Sequence, residues 1–162
     1  GGQLNLANKP PKKEKISWLI NYLQSQVHKL GVEIRLNKAP NIDEIKKLNP
    51  YAVFIAEGSS PIIPESISGI RGENVFTIVD VLSGKIEIYN KKVAVIGSGM
   101  TGLETAEFLA SKNNNVTVFE MGDTIGAGVF FQNLMDIQGR LKEYNVEMST
   151  THKLICIIFY TD

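Results

Sequence analysis

The sequence contains a single cysteine, Cys156, among its 162 residues. An internal disulfide and a cysteine-rich metal or iron–sulfur site are therefore excluded, and no metal site is expected. Because Cys156 lies in an apolar run, we expect it to be a buried structural thiol. No apolar run approaches the roughly 18 residues that a membrane span requires, so we expect neither a membrane segment nor a signal peptide. These absences predict a cytoplasmic protein.

The sequence also lacks an excess of charge of either sign, since 17 basic and 17 acidic residues give a formal net charge of zero. Nucleic-acid-binding proteins usually present a basic patch or stripe, so no nucleic-acid partner is expected. The one basic run, residues 9–15 around Lys12 and Lys13, is interpreted as a solvated helix face. The hydrophobic content of 43% is that of an ordinary globular chain. Its length fits one domain or parts of two.

Residues 92–120 combine several signals in one stretch. Apolar runs at 93–96 and 116–119 predict buried strands, and the apolar spacing between them predicts an amphipathic helix from Leu103 to Ala110. The first strand and the helix are separated by a glycine turn, which consists of Gly97, Ser98, Gly99, Met100, Thr101 and Gly102. The second strand ends on Glu120. Strand, glycine turn, helix, strand and acid, in this order, form the dinucleotide-binding fingerprint.

Each glycine of the turn has a physical role in that fingerprint. Gly97 permits a sharp turn, Gly99 permits close approach of a pyrophosphate, and Gly102 permits close packing of the helix. The helix then directs its free N–H groups and the positive end of its dipole at the phosphates. We expect the backbone N–H groups of residues 98–101 to bind the pyrophosphate, with hydrogen bonds added by the Ser98 and Thr101 hydroxyls.

Glu120 predicts a preference for NADH over NADPH. It follows Gly97 by 23 positions, close to the offset of about 20 at which an acid binds the adenosine ribose, and its charge would repel a 2′-phosphate. No Lys or Arg occurs between Asn113 and Gly139 to clamp that phosphate, although Arg140 follows directly. His152 is expected to be exposed or to border the adenine.

The remaining pattern predicts alternating helices and strands, hence an α/β fold with a three-layer, mostly parallel, Rossmann-like sheet. Helices are predicted at residues 16–30, in a short segment capped by Asn41, at a helical turn over 77–83, and at 130–144. Strands are predicted at 32–36, 51–56, 85–89, 146–148 and 153–160. The glycines and prolines of residues 58–74 predict an irregular crossing segment, and 122–128 a loop.

Three segments resemble the 2,4-dienoyl-CoA reductase and 2-enoate reductase family of NADH:flavin oxidoreductases. Residues 1–7 resemble the segment just after that family's FAD fingerprint. Residues 56–61 resemble its Ala-Thr-Gly motif, which returns the chain to FAD, with Glu57 where the family usually has threonine. Residues 95–106 resemble its NAD(P)H fingerprint. The resemblance implies FAD contacts at Gly2, Gln3, Ala56, Glu57 and Gly58.

The resemblance implies a flavoprotein with two dinucleotide-binding domains, of which this chain is a truncated piece. Residues 1–74 would be a partial FAD-binding domain without its own glycine fingerprint. Residues 75–162 would be the NAD(P)H-binding domain, without its C-terminal end. The parent would also hold FMN and a 4Fe–4S cluster, in a barrel domain of the same polypeptide that this sequence lacks.

The implied function is to bind NADH and relay its hydride to FAD, while the parent enzyme reduces an activated C=C bond. Glu104 matches a helix glutamate near the nicotinamide and flavin, or is an ordinary acid near a helix start. No catalytic residue is expected in this chain, which should be inactive alone. Two alternatives are a non-catalytic NAD(H)-binding redox-sensing module and a protein like the pyridine-nucleotide disulfide reductases. The second would lack the cysteine pair that its chemistry requires.

Overall fold

A computed structural model describes residues 2–158, and their fold is organised around a three-stranded parallel sheet. The strands are β1 (Lys92–Ile96), β2 (Asn115–Phe119) and β3 (Glu147–Ser149). The helices are α1 (Leu4–Ala7), α2 (Glu14–Lys29), α3 (Ile42–Lys47), α4 (Ile78–Leu82), α5 (Met100–Ala110) and α6 (Phe131–Glu143). The strands lie in the order β1-β2-β3.

The sheet is parallel because a helix connects each strand to the next. Parallel strands start at the same end of a sheet, so the chain must cross back between them. Helix α5 makes this crossing from β1 to β2, and α6 makes it from β2 to β3. The register places Val95 beside Val118, and Phe119 beside Ser149. This repeated strand–helix unit gives the predicted α/β, Rossmann-like fold.

The hydrophobic core lies between one face of the sheet and helices α5 and α6. Along β2, Val116 and Val118 are buried, whereas Asn115 is exposed and Thr117 only half-buried, as a strand with one covered face requires. Fully buried side chains from the two helices pack on this face: Leu103, Ala106, Ile137 and Leu141. The opposite face is open, and Ile96 on it is 50% exposed.

A buried ion pair joins α5 to α6 within this core. The Arg140 Nε donates to Oε1 of Glu107 at 2.6 Å, and its Nη2 donates to Oε2 at 3.2 Å. The Glu107 side chain is 1% exposed, so the guanidinium is its counter-ion in place of water. Arg140 also pairs with the exposed Asp136 one turn earlier on α6. Glu107 first, and then Asp136, raises the pKa of Arg140.

The buried Asn114 connects the segment before β1 to the end of α5. Its Nδ2 donates to the carbonyls of Ile88 and Leu109, each at 2.8 Å, and its Oδ1 accepts from the Lys91 N–H at 3.0 Å. Every polar group of the side chain is thus paired, as burial requires. Residues 88–91 are held against the start of β2 in this way.

Most predicted elements of residues 77–149 are confirmed, with boundaries displaced by a few residues at most. The structure has α5, α6 and all three strands close to their predicted positions. Asn41 forms a capping box with Glu44 at the start of α3. Thr77 forms the equivalent box with Asp80 at α4, which is the predicted helical turn. Residues 58–74 contain no helix or extended strand, as their glycines and prolines predicted.

The strands predicted at 32–36, 51–56 and 85–89 are wrong. These segments have no ladder, and most of their large apolar side chains are exposed, Phe54 by 93%. A strand is stable only when its N–H and C=O groups pair with a neighbour. Within residues 2–158 no strand pairs with these segments in a ladder, so their apolar pattern alone does not make them strands.

The strand predicted at 153–160 is also wrong over the described residues 153–158, and residues 159–160 lie outside the described range. Only an isolated bridge forms there, between Cys156 and Ser68. Cys156 is exposed, so the expectation of a buried thiol is wrong as well. Among residues 2–158, no helix has both the length and the apolar character that crossing a membrane would need.

Candidate functional site

The glycine turn lies at the carboxyl end of β1, directly before α5. Gly97 has a φ of +97°, a conformation that side chains rarely adopt, which explains glycine there. Its N–H donates to the Phe119 carbonyl at 2.8 Å, so the turn is tied to the end of β2. The sheet therefore brings the glycine turn and Glu120 to one edge, as the carboxyl ends of parallel strands require.

Gly99 and Gly102 have opposite surroundings in this turn. A Cβ built on Gly102 would lie 2.1 Å from the Gly97 carbonyl oxygen, so α5 approaches the turn more closely than any side chain allows. A Cβ on Gly99 would meet no heavy atom within 4 Å. Gly99 is the N-cap of α5 and gives no side-chain hydrogen bond to its first turn. The N–H groups of Met100 and Thr101 therefore face a space that an anion can enter.

Glu120 is held against the glycine turn by three hydrogen bonds to its carboxylate. Oε2 accepts from the Ser98 N–H at 2.9 Å and from the Ser98 hydroxyl at 2.7 Å. Oε1 accepts from the Gly122 N–H at 2.9 Å. The Gly122 N–H first, and then the Ser98 hydroxyl and N–H, lower the pKa of Glu120 to about 2. The site therefore holds a fixed negative charge at neutral pH.

The Ser98 hydroxyl is engaged by hydrogen bonds within the protein. The side chain is buried, donates to Glu120, and accepts from the Gly126 N–H at 3.0 Å. The sequence predicted that this hydroxyl would add a bond to the pyrophosphate; in the structure it is bonded to Glu120 and to the Gly126 N–H. Thr101, in contrast, is exposed at the first turn of α5, where its side chain is accessible.

The segment after β3 borders Glu120 on its other side. The Ser149 carbonyl accepts from the Glu120 N–H at 2.8 Å, and the Glu120 carbonyl accepts from the His152 N–H at 2.9 Å. The His152 ring is exposed and lies 5.8 Å from the Phe119 ring, centroid to centroid. Thr151, which lies between Ser149 and His152 in the chain, has a φ of +60°, which is unusual for a β-branched residue. His152 is thus near the predicted adenosine end of the site.

Arg140 does not reach this edge of the sheet as a free cation. Its guanidinium is bound by Glu107 and Asp136 on the helix side of the core. The sequence had left open whether Arg140 weakens the discrimination against a 2′-phosphate. Because the Arg140 guanidinium is paired with two carboxylates, its positive charge does not offset the negative charge of Glu120.

The two segments predicted to contact FAD lie beside each other. The Gln3 Nε2 donates to the Ser59 carbonyl at 2.8 Å and to its hydroxyl oxygen at 2.9 Å. These residues are separated by 56 positions in the chain. The other residues predicted at this cofactor are all exposed around that contact: Gly2, Ala56, Glu57 and Gly58.

Glu104 on α5 forms an ion pair with Lys13, just before α2. The side chains are partly buried, with 13% exposure for Glu104 and 29% for Lys13. The interpretation of Lys13 as part of a solvated face is therefore wrong. The sequence alone did not predict this ion pair, because Lys13 and Glu104 lie far apart in the chain and meet only in the folded structure.

The hydrogen-bonded carboxylate of Glu120 should make the free energy of unfolding depend on pH in the acidic range. Its folded pKa of about 2 lies below the ordinary value of 4.5, so its stabilising contribution is fully present above pH 4.5. That contribution is lost as the pH falls from 4.5 towards 2. We expect the stability difference between wild type and Glu120→Gln, from urea unfolding at pH 3 to 7, to shrink only below about pH 4.5. A difference that stays constant down to pH 3 would contradict the hydrogen-bonded carboxylate.

Comparison with known proteins shows which family the chain is similar to. Residues 14–155 match the family described as pyridine nucleotide-disulphide oxidoreductase. The chain is 41% identical over 124 residues to an NADH oxidase of Thermoanaerobacter brockii, covering 75% of this chain and 19% of that protein. It is 32% identical over 125 residues to a cinnamate reductase of Clostridium sporogenes, covering 77% of this chain and 18% of that protein.

A solved structure shows the same arrangement of the backbone. The complex of 2-naphthoyl-CoA reductase with 2-naphthoyl-CoA matches 93% of this chain with a TM-score of 0.82 and 32% sequence identity. The match covers 23% of that structure's chain. The chain thus spans about a fifth of the length of the curated relatives it matches.

Proposed function

The chain belongs to the pyridine nucleotide-disulphide oxidoreductase family, and from this premise we propose that it is the NADH-binding part of a flavin-dependent oxidoreductase. Within that family, its relatives include a cinnamate reductase and a 2-naphthoyl-CoA reductase. The resemblance to the 2,4-dienoyl-CoA reductase and 2-enoate reductase family is thereby confirmed. The function of the whole protein extends beyond this segment and is part of the proposal.

The observation that supports this function best is the position of the Glu120 carboxylate beside the glycine turn. An anion approaching the N-terminus of α5 would meet the free N–H groups of Met100 and Thr101, with no side chain on Gly99 to obstruct it. A ribose one step further from the phosphates would meet the ionised Glu120, which can accept from its hydroxyls. The residues present therefore fit the pyrophosphate and adenosine ribose of a dinucleotide.

We infer a preference for NADH over NADPH from the charges at this edge. The Glu120 carboxylate is ionised well below neutral pH and would repel a 2′-phosphate. Arg140, a basic residue close in sequence to this region, is bound to Glu107 and Asp136 instead. With the negative charge fixed and Arg140 engaged elsewhere, a 2′-phosphate would be repelled, and Arg140 would not offset that repulsion.

The flavin part of the proposal rests on residues 1–74 as a portion of an FAD-binding domain and on 75–162 as the NADH domain. Gln3 and Ser59 join the two segments that would face FAD, and Glu57 places an acid beside them. Lys13 and Glu104 connect the two portions where the nicotinamide would approach the flavin. When bound, NADH supplies a hydride that FAD accepts, while these residues orient the two cofactors.

For the parent protein we propose reduction of an activated C=C bond. Two relatives are named as reductases of cinnamate and of 2-naphthoyl-CoA, which supports this class of substrate. The family resemblance implies that FMN and a 4Fe–4S cluster belong to a barrel domain of the same polypeptide, and the single cysteine of this sequence could not hold such a cluster. We expect no catalytic residue in this chain and no steady NADH oxidation by it alone.

Calorimetric titration of the chain with NADH and with NADPH tests this function. We expect wild type to bind NADH more tightly than NADPH. The Glu120→Gln variant keeps the shape of the side chain and removes its charge, so we expect NADH affinity to fall about tenfold. NADPH affinity should fall less or rise, because the repulsion of its 2′-phosphate is lost.

A matched control is Glu143→Gln, which neutralises an exposed acid at the end of α6. This variant should bind both nucleotides as wild type does. Failure of wild type to bind either nucleotide would refute the proposal, and tighter binding of NADPH would refute the predicted preference. Steady NADH oxidation by the isolated chain, without added flavin or partner, would contradict its role as one part of a larger enzyme.

A further inference from the structure

Ser98 is the most buried polar residue at the edge of the sheet that carries the site. The residue is 1% exposed, and a buried hydroxyl is costly unless it is hydrogen-bonded. The hydroxyl oxygen lies 2.7 Å from Oε2 of Glu120 and 3.0 Å from the Gly126 nitrogen. Since a carboxylate only accepts and an N–H only donates, the hydroxyl donates to Glu120 and accepts from Gly126.

This one hydroxyl therefore joins three segments of the chain. It lies in the glycine turn after β1, holds the acid at the end of β2, and fixes the loop of residues 122–128. The loop reaches the same acid a second time, through the bond from the Gly122 N–H to Oε1 of Glu120. Both oxygens of the carboxylate are thus fixed before any ligand binds.

These hydrogen bonds also determine which lone pairs of the Glu120 carboxylate remain to accept a bond from a ligand. A carboxylate has about four lone-pair sites. Oε2 already accepts two hydrogen bonds, both from Ser98, and Oε1 accepts one from Gly122. The remaining accepting capacity is therefore mainly on Oε1. A hydroxyl pair of a ribose would meet a carboxylate whose rotation is already restricted.

We propose that Ser98 is a positioning residue, whose hydroxyl orients the Glu120 carboxylate towards the adenosine ribose and thereby sets the choice between NADH and NADPH. The inference rests on the proposed function, since it assigns a role within that nucleotide site. Ser98 touches neither pyrophosphate nor ribose in this role; it acts through Glu120. The carboxylate charge excludes a 2′-phosphate most strongly when its position is fixed, so the hydroxyl contributes to specificity.

Replacing Ser98 with alanine removes the hydroxyl and keeps the Ser98 N–H bond to Glu120. We expect the dissociation constant for NADH to rise about tenfold, while that for NADPH changes less, so the preference for NADH shrinks. The pKa of Glu120, followed by carbon-13 NMR of its side-chain carboxyl, should rise above that of wild type because one of its hydrogen bonds is lost. Asp123 and His152 lie on the neighbouring segments, and a residue-specific signal separates their titrations from that of Glu120.

Two further variants test the role of the hydroxyl itself. Ser98→Thr retains it and should restore both the preference for NADH and the low pKa of Glu120. Ser111→Ala is the matched control, because that hydroxyl only caps the Phe108 carbonyl at the far end of α5. Thermal unfolding of each variant shows which of them are folded, and the comparison of Ser98→Ala with wild type stands even if the threonine does not fit.

The outcomes separate this role from a merely structural one. Equal weakening of NADH and NADPH with an unchanged Glu120 titration would overturn the proposal, since loss of fold integrity alone predicts that pattern. An unchanged Glu120 titration in Ser98→Ala would overturn it whether or not a nucleotide binds. Wild type that binds neither nucleotide would refute the proposed function, while the titration would still report whether Ser98 holds the carboxylate, so the two failures are distinguishable.

Discussion

Replacing Arg140 with methionine is expected to lower the free energy of unfolding by about 3–5 kcal/mol. The change leaves Glu107, whose side chain is 1% exposed, without a counter-ion between α5 and α6. An uncompensated buried carboxylate is costly because neither water nor a cation can solvate it. Urea unfolding at neutral pH, followed by circular dichroism, measures the difference between the variant and wild type.

The arrangement around Arg140 offers its own controls. Asp136→Ala removes the second partner, which is 70% exposed, and should cost no more than about 1 kcal/mol. The double variant Glu107→Leu with Arg140→Met removes both buried charges and should recover most of the lost stability. A cost below about 1 kcal/mol for Arg140→Met alone, or a double variant less stable than the single one, would contradict an ion pair that satisfies a buried acid.

The part of the fold from β1 to β3 could be predicted from sequence because its signals are local. The apolar runs at β1 and β2, the glycine turn and the spacing of apolar residues in α5 and α6 are each read within a short window. Helix capping is equally local: Asn41 caps α3 as predicted, and Thr77 caps α4, where the sequence predicted a helical turn. These signals agree with the tertiary structure because each buries an apolar face in the same core.

The partners of buried polar groups could not be predicted, since they depend on tertiary contact. Glu107 and Arg140 are 33 positions apart, and Ser98 and Gly126 are 28 apart. Neither spacing has a sequence signature, and the sequence left open whether Arg140 would offset the repulsion of a 2′-phosphate. One local sign of a buried partner is a polar residue at an otherwise apolar helix position. Glu107, which follows Ala106 and precedes Phe108 and Leu109, is such a residue.

The strand predictions before residue 90 failed for a related reason. Val32, Ile34 and Phe54 lie in apolar, β-rich runs, yet each is exposed in the structure. A strand depends on hydrogen bonds to a neighbouring strand, and its own sequence does not specify whether that neighbour is present. Among residues 2–158 the sheet contains β1, β2 and β3 only. β-propensity alone therefore does not decide which segments become strands; pairing with a neighbouring strand does.

Gly102→Ala and Gly99→Ala are expected to fail in different ways, although they lie in one turn. A Cβ on Gly102 would be 2.1 Å from the Gly97 carbonyl, so α5 or the turn must move, and we expect a loss of about 1–3 kcal/mol of stability. Gly99 has a φ of −63° and open space, so its alanine variant should be as stable as wild type. Its methyl group would nevertheless occupy the space that the pyrophosphate needs, and NADH affinity should fall about 100-fold.

Gly139→Ala completes this comparison as a glycine outside the site. It is exposed on α6 with no heavy atom near its Cβ position, so alanine should raise stability by about 0.5–1 kcal/mol and leave NADH binding unchanged. Urea unfolding of all three variants measures the effect of each methyl group on packing, and NADH calorimetry measures its effect on ligand access. Wild-type affinity in Gly99→Ala would mean that the phosphates do not approach this turn. Wild-type stability in Gly102→Ala would mean that helix and turn separate at little cost, so that close packing does not explain this glycine.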